Sequence, residues 1–362
     1  MDDAADNLTT YNTTLRYNDR SPDEYYKRDY YENIMHKSSI TLFGIVFALG
    51  IIGNGLVIWI AGFRMKNTIS AVWFLHLAIA DFLCCSSLPL RIAEWDADFL
   101  QHTDIAYCTV NIVLFNVNMS ASVLLLTAMS IDRWVSVMWP FWAKVHRSRN
   151  LVRISAAIIW GLSFTVSGAV YYVHRYRVGI LDEWCVRYYT SPYNEELHLT
   201  IQWIRLVIMC VIPFLIIVAS YVTIFYKLRK SKSSQRSQRS SRIITAVISC
   251  FFICWIPYYI SPLILRYYGN YTTPDYWYYI TYYTLHTITT SLACLNSCLN
   301  PIIYVFMGSN FQQSFLRSIP SRLKRALGDH PNDLCRERGD VGSTHSTDAQ
   351  CIILGSPVGD TS

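Results

Sequence analysis

The chain has 362 residues, of which 52% are hydrophobic and only 15% charged. A soluble domain is nearer a quarter charged, so this composition excludes a pair of ordinary soluble domains and points to a membrane-embedded chain. The formal net charge is +6, but Lys and Arg gather in short stretches between apolar runs, which argues against a nucleic-acid partner.

Aromatic residues make up 15% of the chain, with 26 Tyr and 11 Trp. Such amphipathic rings favour membrane interfaces and recognition surfaces. The eleven cysteines do not form a compact secreted framework. Cys84, Cys85, Cys210, Cys250, Cys254, Cys294 and Cys298 lie inside apolar runs and read as small, soft hydrophobes. No zinc-type Cys pair is joined by a second pair or by histidines. Hydrolase, kinase and metalloprotease motifs are absent, so no enzyme is expected.

Residues 1–37 are polar, acidic and tyrosine-rich, and read as a disordered tail. Asn7-Leu8-Thr9 and Asn12-Thr13-Thr14 are glycosylation sequons, which suits an extracellular location. Tyr25, Tyr26, Tyr30 and Tyr31 stand beside Asp23, Glu24, Asp29 and Glu32. Two readings stay open: a solvated acidic tail, or a tyrosine-sulfated anionic arm for a basic ligand. The first thirty residues lack the apolar core of a cleavable signal, so targeting is expected from the first span.

Seven apolar segments follow, at 40–63, 69–93, 105–138, 151–173, 199–226, 243–267 and 276–306. Each meets the roughly 20 residues that a helix needs to cross the hydrocarbon. Helices are required because backbone polar groups must be paired inside lipid. The expected fold is therefore all-α, a seven-transmembrane bundle over 38–308.

Arg64, Lys66, Lys144, Arg147, Arg149, the run Lys227 to Arg242, and Arg317 to Arg325 fall in alternate connections. The other connections carry Asp96, Asp98, Asp104, Asp182, Glu183, Glu195, Glu196 and Asp275. The positive-inside rule then puts the N-terminus outside and the C-terminus inside. Asn270 heads a third sequon, in an outer loop, while Asn118 heads one buried in segment three and expected to be silent. Cys108 at the outer end of segment three and Cys185 in an outer loop face an oxidising compartment, and a disulfide is expected there.

After segment seven, Phe311, Phe315, Leu316 and Ile319 recur at helical spacing with basic residues among and after them. This predicts an amphipathic interfacial helix over 309–327, lying on membrane lipid. Residues 328–362 form a polar Ser/Thr-bearing tail, read as a cytoplasmic site of regulatory phosphorylation.

Several polar residues lie deep in the spans. A lone membrane asparagine such as Asn54 is usually interhelical glue. Asp81 differs, because a buried carboxylate needs a cation, a partner or a proton. With Asn118, Ser122, Asn296 and Asn300 it offers either an oxygen-rich pocket for a small hard cation or a hydrated polar network. Pro213, Pro257 and Pro301 interrupt three helices and favour kinks. Beside Trp255 and Tyr304, two of these kinks are candidate pivots. Asp132 and Arg133 close segment three. They are expected to pair locally in one state, with Arg133 released toward Tyr221, Tyr304 or a partner protein in another.

These motifs occur in order, one or more per span: Gly53-Asn54, Leu77-Ala78-Ile79-Ala80-Asp81, Asp132-Arg133, Trp160, Pro213 with Tyr221, Cys254-Trp255-Ile256-Pro257 and Asn300-Pro301-Ile302-Ile303-Tyr304. Over roughly 38–327 the chain resembles the rhodopsin-like (class A) G-protein-coupled receptors. The resemblance implies agonist binding at the outer face, a heterotrimeric G protein at the inner face and an allosteric sodium ion near Asp81. It also implies receptor kinases and arrestin acting on the C-terminal tail. Trp134 departs from the pattern, standing where many members have Tyr. Segment four also lacks the proline common near its outer end.

Phe115 stands about where aminergic members keep an acid, and segment seven has no Lys for a retinal Schiff base. Pro140-Phe141-Trp142, His146-Arg147-Ser148, Asn296 to Pro301 and Tyr304 to Gly308 look like the chemoattractant branch of formyl-peptide, anaphylatoxin and chemerin receptors. Arg205 lies eight residues before Pro213, about 12 Å toward the outer face. Chemoattractant receptors similarly place an arginine there to meet a peptide carboxylate, a role suited to a guanidinium. Arg91 and Glu94 either pair with each other or line the pocket, with Tyr258, Tyr282 and His286 as walls. The expected agonist is a peptide or small protein, and the expected transducer an inhibitory-class G protein. An anionic-lipid receptor and a non-signalling scavenger of the same fold are the alternatives.

Overall fold

The computed structural model describes residues 22–64, 68–93, 105–173, 176, 195–230, 235–269 and 276–307. Asn7, Asn12, Glu94, Cys185, Asn270, the 309–327 helix and the 328–362 tail lie outside the described residues, as do the side chains of Cys108, Tyr282 and Tyr304.

All described elements are helical, and they occur in the order α1 Pro22–Trp59, α2 Ile69–Ala93, α3 Ile105–Met138, α4 Pro140–His146, α5 Arg149–Val173, α6 Glu195–Leu206, α7 Ile212–Lys230, α8 Gln235–Gly269 and α9 Tyr276–Met307. Helices α6 and α7 form one span, joined by a π-type turn at Val207–Val211. Six spans among the described residues are long and apolar enough to cross a membrane. Helix α9, with 32 residues, supplies a seventh of sufficient length.

The first helix begins at Pro22, well upstream of the apolar run, so residues 22–37 are helical rather than the disordered tail expected from their polarity. The physical reason is local. Proline suits the first helical position. Extending a helix already nucleated by its buried part adds one hydrogen bond per residue.

The central strut is α3, which packs against α2, α5, α7 and α8. Around it α1 packs on α2 and α9, and α8 on α9, closing the ring on that side. Its middle is buried on all sides, with Val117, Met119, Ala121, Val123 and Leu125 nearly free of exposed surface. The outward faces of α5 and α7 carry bare Ile, Leu, Val and Phe, as lipid-facing surfaces do.

Polar groups stitch the bundle. Asn54 donates from α1 to the Ser297 carbonyl of α9 at 2.8 Å and to its own Gly50 carbonyl at 3.0 Å. Trp160 of α5 donates its indole N–H to His76 Nδ1 of α2 at 3.2 Å. At Gly50 the backbone runs so close to α2 that an added Cβ would sit 2.2 Å from Cys85 Sγ. A larger residue there would force the Cys85 side chain to move. At Gly53 a Cβ would press on the Pro301 ring at 3.0 Å.

Pro213 was expected to kink its span. The ladder widens to the i→i+5 pattern over Val207–Val211, just before this proline. Such a turn inserts one extra residue, which rotates everything upstream of it by about 100°. It therefore sets which way Arg205, in the last turn of α6, faces.

Candidate functional site

The polar residues of α3 divide by rotational phase. In the run Asn116-Val117-Asn118-Met119-Ser120-Ala121-Ser122, Asn116 and Asn118 are two residues apart, about 200° around the helix. They serve opposite sides of the bundle.

Asn116 faces α6. Its Oδ1 accepts from Arg205 Nη2 at 2.8 Å, and its Nδ2 donates to the Ile112 carbonyl at 2.8 Å. The second bond fixes the amide so that oxygen, not nitrogen, meets the guanidinium. The same Nη2 lies 3.6 Å from Met119 Sδ. Arg205 is 8% exposed, and its Nε is buried without a partner. Among the described residues no carboxylate lies within ion-pair distance of Arg205. A guanidinium has five N–H donors, and here it meets one amide oxygen and a thioether. The arrangement presents a desolvated positive charge with donors to spare, which is what an incoming anion needs.

Arg91 reaches α3 one residue earlier. Its guanidinium carbon stands 5.9 Å from the Phe115 ring centroid, at cation–π range. Phe115 also meets Trp255 and Tyr258, both at 5.3 Å between ring centroids. Tyr258 in turn lies 6.5 Å from His286. Thus Arg91, Phe115, Tyr258 and His286 form one contiguous wall, with the buried Trp255 beneath it. From Trp255 the aromatic contacts continue to Phe251 at 5.9 Å, Phe252 and Phe214.

Asn118 faces the other way. It donates to Asp81 Oδ1 at 3.0 Å, and Asn300 donates to Asp81 Oδ2 at 2.7 Å. Asp81 is fully buried, and α2, α3 and α9 converge on it. Asn118 Oδ1 and Asn300 Oδ1 are buried without a protein partner, as are Ser122 Oγ, one turn along α3, and both amide atoms of Asn296, one turn along α9. Buried polar atoms are normally satisfied. Unfilled amide oxygens beside a buried carboxylate suit a small hard cation or water.

At the far end of α3, Asp132 and Arg133 part company. Asp132 accepts from Arg147 Nε and Nη2 at 2.6 and 2.5 Å, a bidentate pair. Arg133 donates instead to Ser70 Oγ of α2 at 2.6 Å. The local Asp132–Arg133 pair does not form in this conformation, because consecutive helical residues point about 100° apart and do not face each other. Arg147 follows the short helix α4, so the pair ties that helix to α3. Trp134 packs edge-on against Trp139, just before α4, at 4.8 Å. The Tyr221 hydroxyl is buried nearby in α7 without a hydrogen-bond partner.

A family model described as 7 transmembrane receptor (rhodopsin family) matches residues 53–304. The chain belongs to that family. The receptor is 34% identical over 299 residues to a C3a anaphylatoxin chemotactic receptor of Danio rerio, covering 82% of this chain and 80% of that one. It is 33% identical over 342 residues to the human chemerin-like receptor 1, covering 88% and 89%. It is 32% identical over 295 residues to the human C5a anaphylatoxin chemotactic receptor 1, covering 80% and 81%. These similarities place the receptor with the chemoattractant group of a family that is not enzymatic, and make it a multi-pass membrane protein.

Asn116, Ser70, His76 and the pairing role of Arg147 had not been singled out from sequence. Asn116 carried a usable signal: a polar side chain in an apolar helix, on the face opposite Asn118. If Asn116 supports the Arg205 guanidinium, Asn116→Leu lowers stability by about 1–3 kcal/mol, the worth of a hydrogen bond to a charged group. Asn116→Asp, which supplies an anion, retains or raises it. Thermal unfolding of the purified receptor in detergent distinguishes the two.

Proposed function

We propose that this receptor takes a chemoattractant peptide or small protein whose carboxylate docks on Arg205, and passes the signal to a heterotrimeric G protein of the inhibitory class. The carrying observation is the buried Arg205 guanidinium on neutral partners, with its Nε unfilled. The names of the similar anaphylatoxin and chemerin receptors agree with a chemotactic ligand. The anionic-lipid alternative uses the same arginine, but the acidic, tyrosine-rich sequence at the start of α1 favours a basic protein body. Tyr30 and Tyr31 are exposed on the first helix, open to a sulfating enzyme.

In this proposal the N-terminus and the Arg205 end of the bundle lie outside. Asn7, Asn12 and Asn270 carry glycans, Cys108 and Cys185 form a disulfide, and the Lys/Arg-rich connections face the cytoplasm. The Arg133 end receives the G protein, and the C-terminal tail receives receptor kinases and arrestin. Agonist contact shifts Trp255 and the Pro257 kink, which moves Tyr221, Pro301 and Tyr304 and frees Arg133 from Ser70. The residues around Asp81 would hold a sodium ion that favours the resting arrangement. Asp81 supplies the charge, and Asn118, Ser122, Asn296 and Asn300 supply neutral oxygens.

A panel of chemoattractant peptides, each as free acid and C-terminal amide, tests the ligand assignment against Arg205→Ala. Truncating one partner of a buried charge pair costs about 2–5 kcal/mol, so the free acid loses roughly 30-fold or more in affinity. The amide changes little. An equal loss for both forms rules out the carboxylate contact. For the ion, replacing sodium by potassium should raise agonist affinity in the wild type and leave Asp81→Asn unmoved. Sodium sensitivity that persists in Asp81→Asn places the ion elsewhere.

A further inference from the structure

Two cysteines meet across the seam between α2 and α9. Cys85 and Cys298 are buried, at 0% and 3% exposure, and both are free thiols. Cys85 hydrogen-bonds with Cys298, and the Cys298 thiol donates to the Val46 carbonyl of α1 at 3.2 Å. A thiol has one proton to give, so between the two cysteines Cys85 donates and Cys298 Sγ accepts. The sulfurs are therefore in direct contact. Their meeting point is open because α1 has no side chain there. A Cβ at Gly50 would stand 2.2 Å from Cys85 Sγ and 3.5 Å from Cys298 Sγ.

A buried cysteine usually serves as a small hydrophobe. That role needs no partner of the same kind, yet here two sulfurs from helices far apart in sequence share one gap. Cys85 also lies four residues from Asp81, one helical turn along α2. The Asn118 and Asn300 amides that bind Asp81 keep their oxygens unfilled. A water-sized polar molecule thus has hydrogen-bonding partners within a turn of the thiols.

We propose that Cys85 and Cys298 form a redox-modification site, at which hydrogen peroxide joins them in a disulfide that locks α2 to α9. The oxidant is small and neutral, as entry to the inside of the bundle requires. The Cys85 sulfur attacks one peroxide oxygen, the O–O bond breaks, and the released hydroxide leaves as water with the Cys85 proton. The Cys298 sulfur then attacks the sulfenic acid so formed. The S–S bond forms, the S–O bond breaks, and the second hydroxide leaves as water with the Cys298 proton. Two thiols are oxidised and one peroxide is reduced. The product carries no charge, which suits a buried apolar seam. Cys298 lies two residues before Asn300 and three before Pro301, so the bond fastens this part of α9 to α2. Oxidation holds the receptor in the arrangement described above, whatever its agonist.

The test treats the full chain in lipid nanodiscs with hydrogen peroxide, caps the remaining thiols with N-ethylmaleimide and maps the cysteines by mass spectrometry without reduction. The expected product is a linked peptide pair containing Cys85 and Cys298, two hydrogens lighter than the free-thiol peptides together and split by dithiothreitol. Oxidation should also raise the midpoint of thermal unfolding by roughly 5 °C and slow amide exchange in α9. Both effects should vanish in Cys85→Ala and in Cys298→Ala. They should persist in Cys250→Ala, which removes a less buried thiol. Cys298→Ser, which keeps a donor for the Val46 carbonyl, covers the case in which Cys298→Ala does not fold. Recovery of Cys85 and Cys298 as separate capped or sulfinic forms, a Cys84–Cys294 bond in place of the expected one, or a thermal shift that survives Cys298→Ser would overturn the proposal.

Discussion

A guanidinium taken out of water, with no counter-ion among the described residues, constrains everything around it. Its Asn116 partner offers only a dipole. The charge is tolerable only because the surrounding geometry is fixed: the Ile112 carbonyl orients the amide, and the π turn before Pro213 sets the phase of α6. Such a site is held ready rather than relaxed. An anion entering it gains a strong, charge-assisted contact and displaces little.

The same helix carries the second constraint. Asn118, half a turn from Asn116, ties α3 to Asp81, and Asn300 ties Asp81 to α9. One residue before Asn116 an aromatic cluster begins. Phe115 touches Trp255 and Tyr258, and Trp255 leads by ring contacts to Phe251 and Phe252. A displacement of Phe115 thus has a packed path to the proline-interrupted part of α8. At the far end the two charges of the Asp132-Arg133 pair are held apart, one by Arg147 and the other by Ser70. Neither contact is covalent or deep in the core, so both are suited to exchange.

The spans and their order were legible because hydrocarbon imposes length and apolarity so strictly. Asp81 and its Asn118 and Asn300 partners were legible because charge at that depth is rare and demands polar neighbours. Arg205 stood out through the resemblance to chemoattractant receptors, which place an arginine at that distance before the proline. What sequence did not expose depends on rotation. The Asn116–Arg205 contact requires the phase of α3 and the extra residue of the π turn, and neither leaves a residue signature beyond Pro213. The Asp132 partner in this conformation was not legible, because Arg147 returns to it only from beyond α4. Trp134 was an unexplained departure until its edge-on contact with Trp139 appeared. The helical start at Pro22 was hidden by a polar composition that also suits disorder.

The central claim is that Arg205 acts through its charge and not its bulk. A reciprocal charge exchange tests this most directly. Arg205→Glu is combined with an agonist analogue whose terminal carboxylate is replaced by an amine, and binding is measured at matched surface expression. The account predicts that the variant loses the native agonist and recovers binding of the amine analogue, which the wild type rejects. Loss of both ligands by a normally expressed Arg205→Glu receptor, or undiminished binding of the native one, would contradict it.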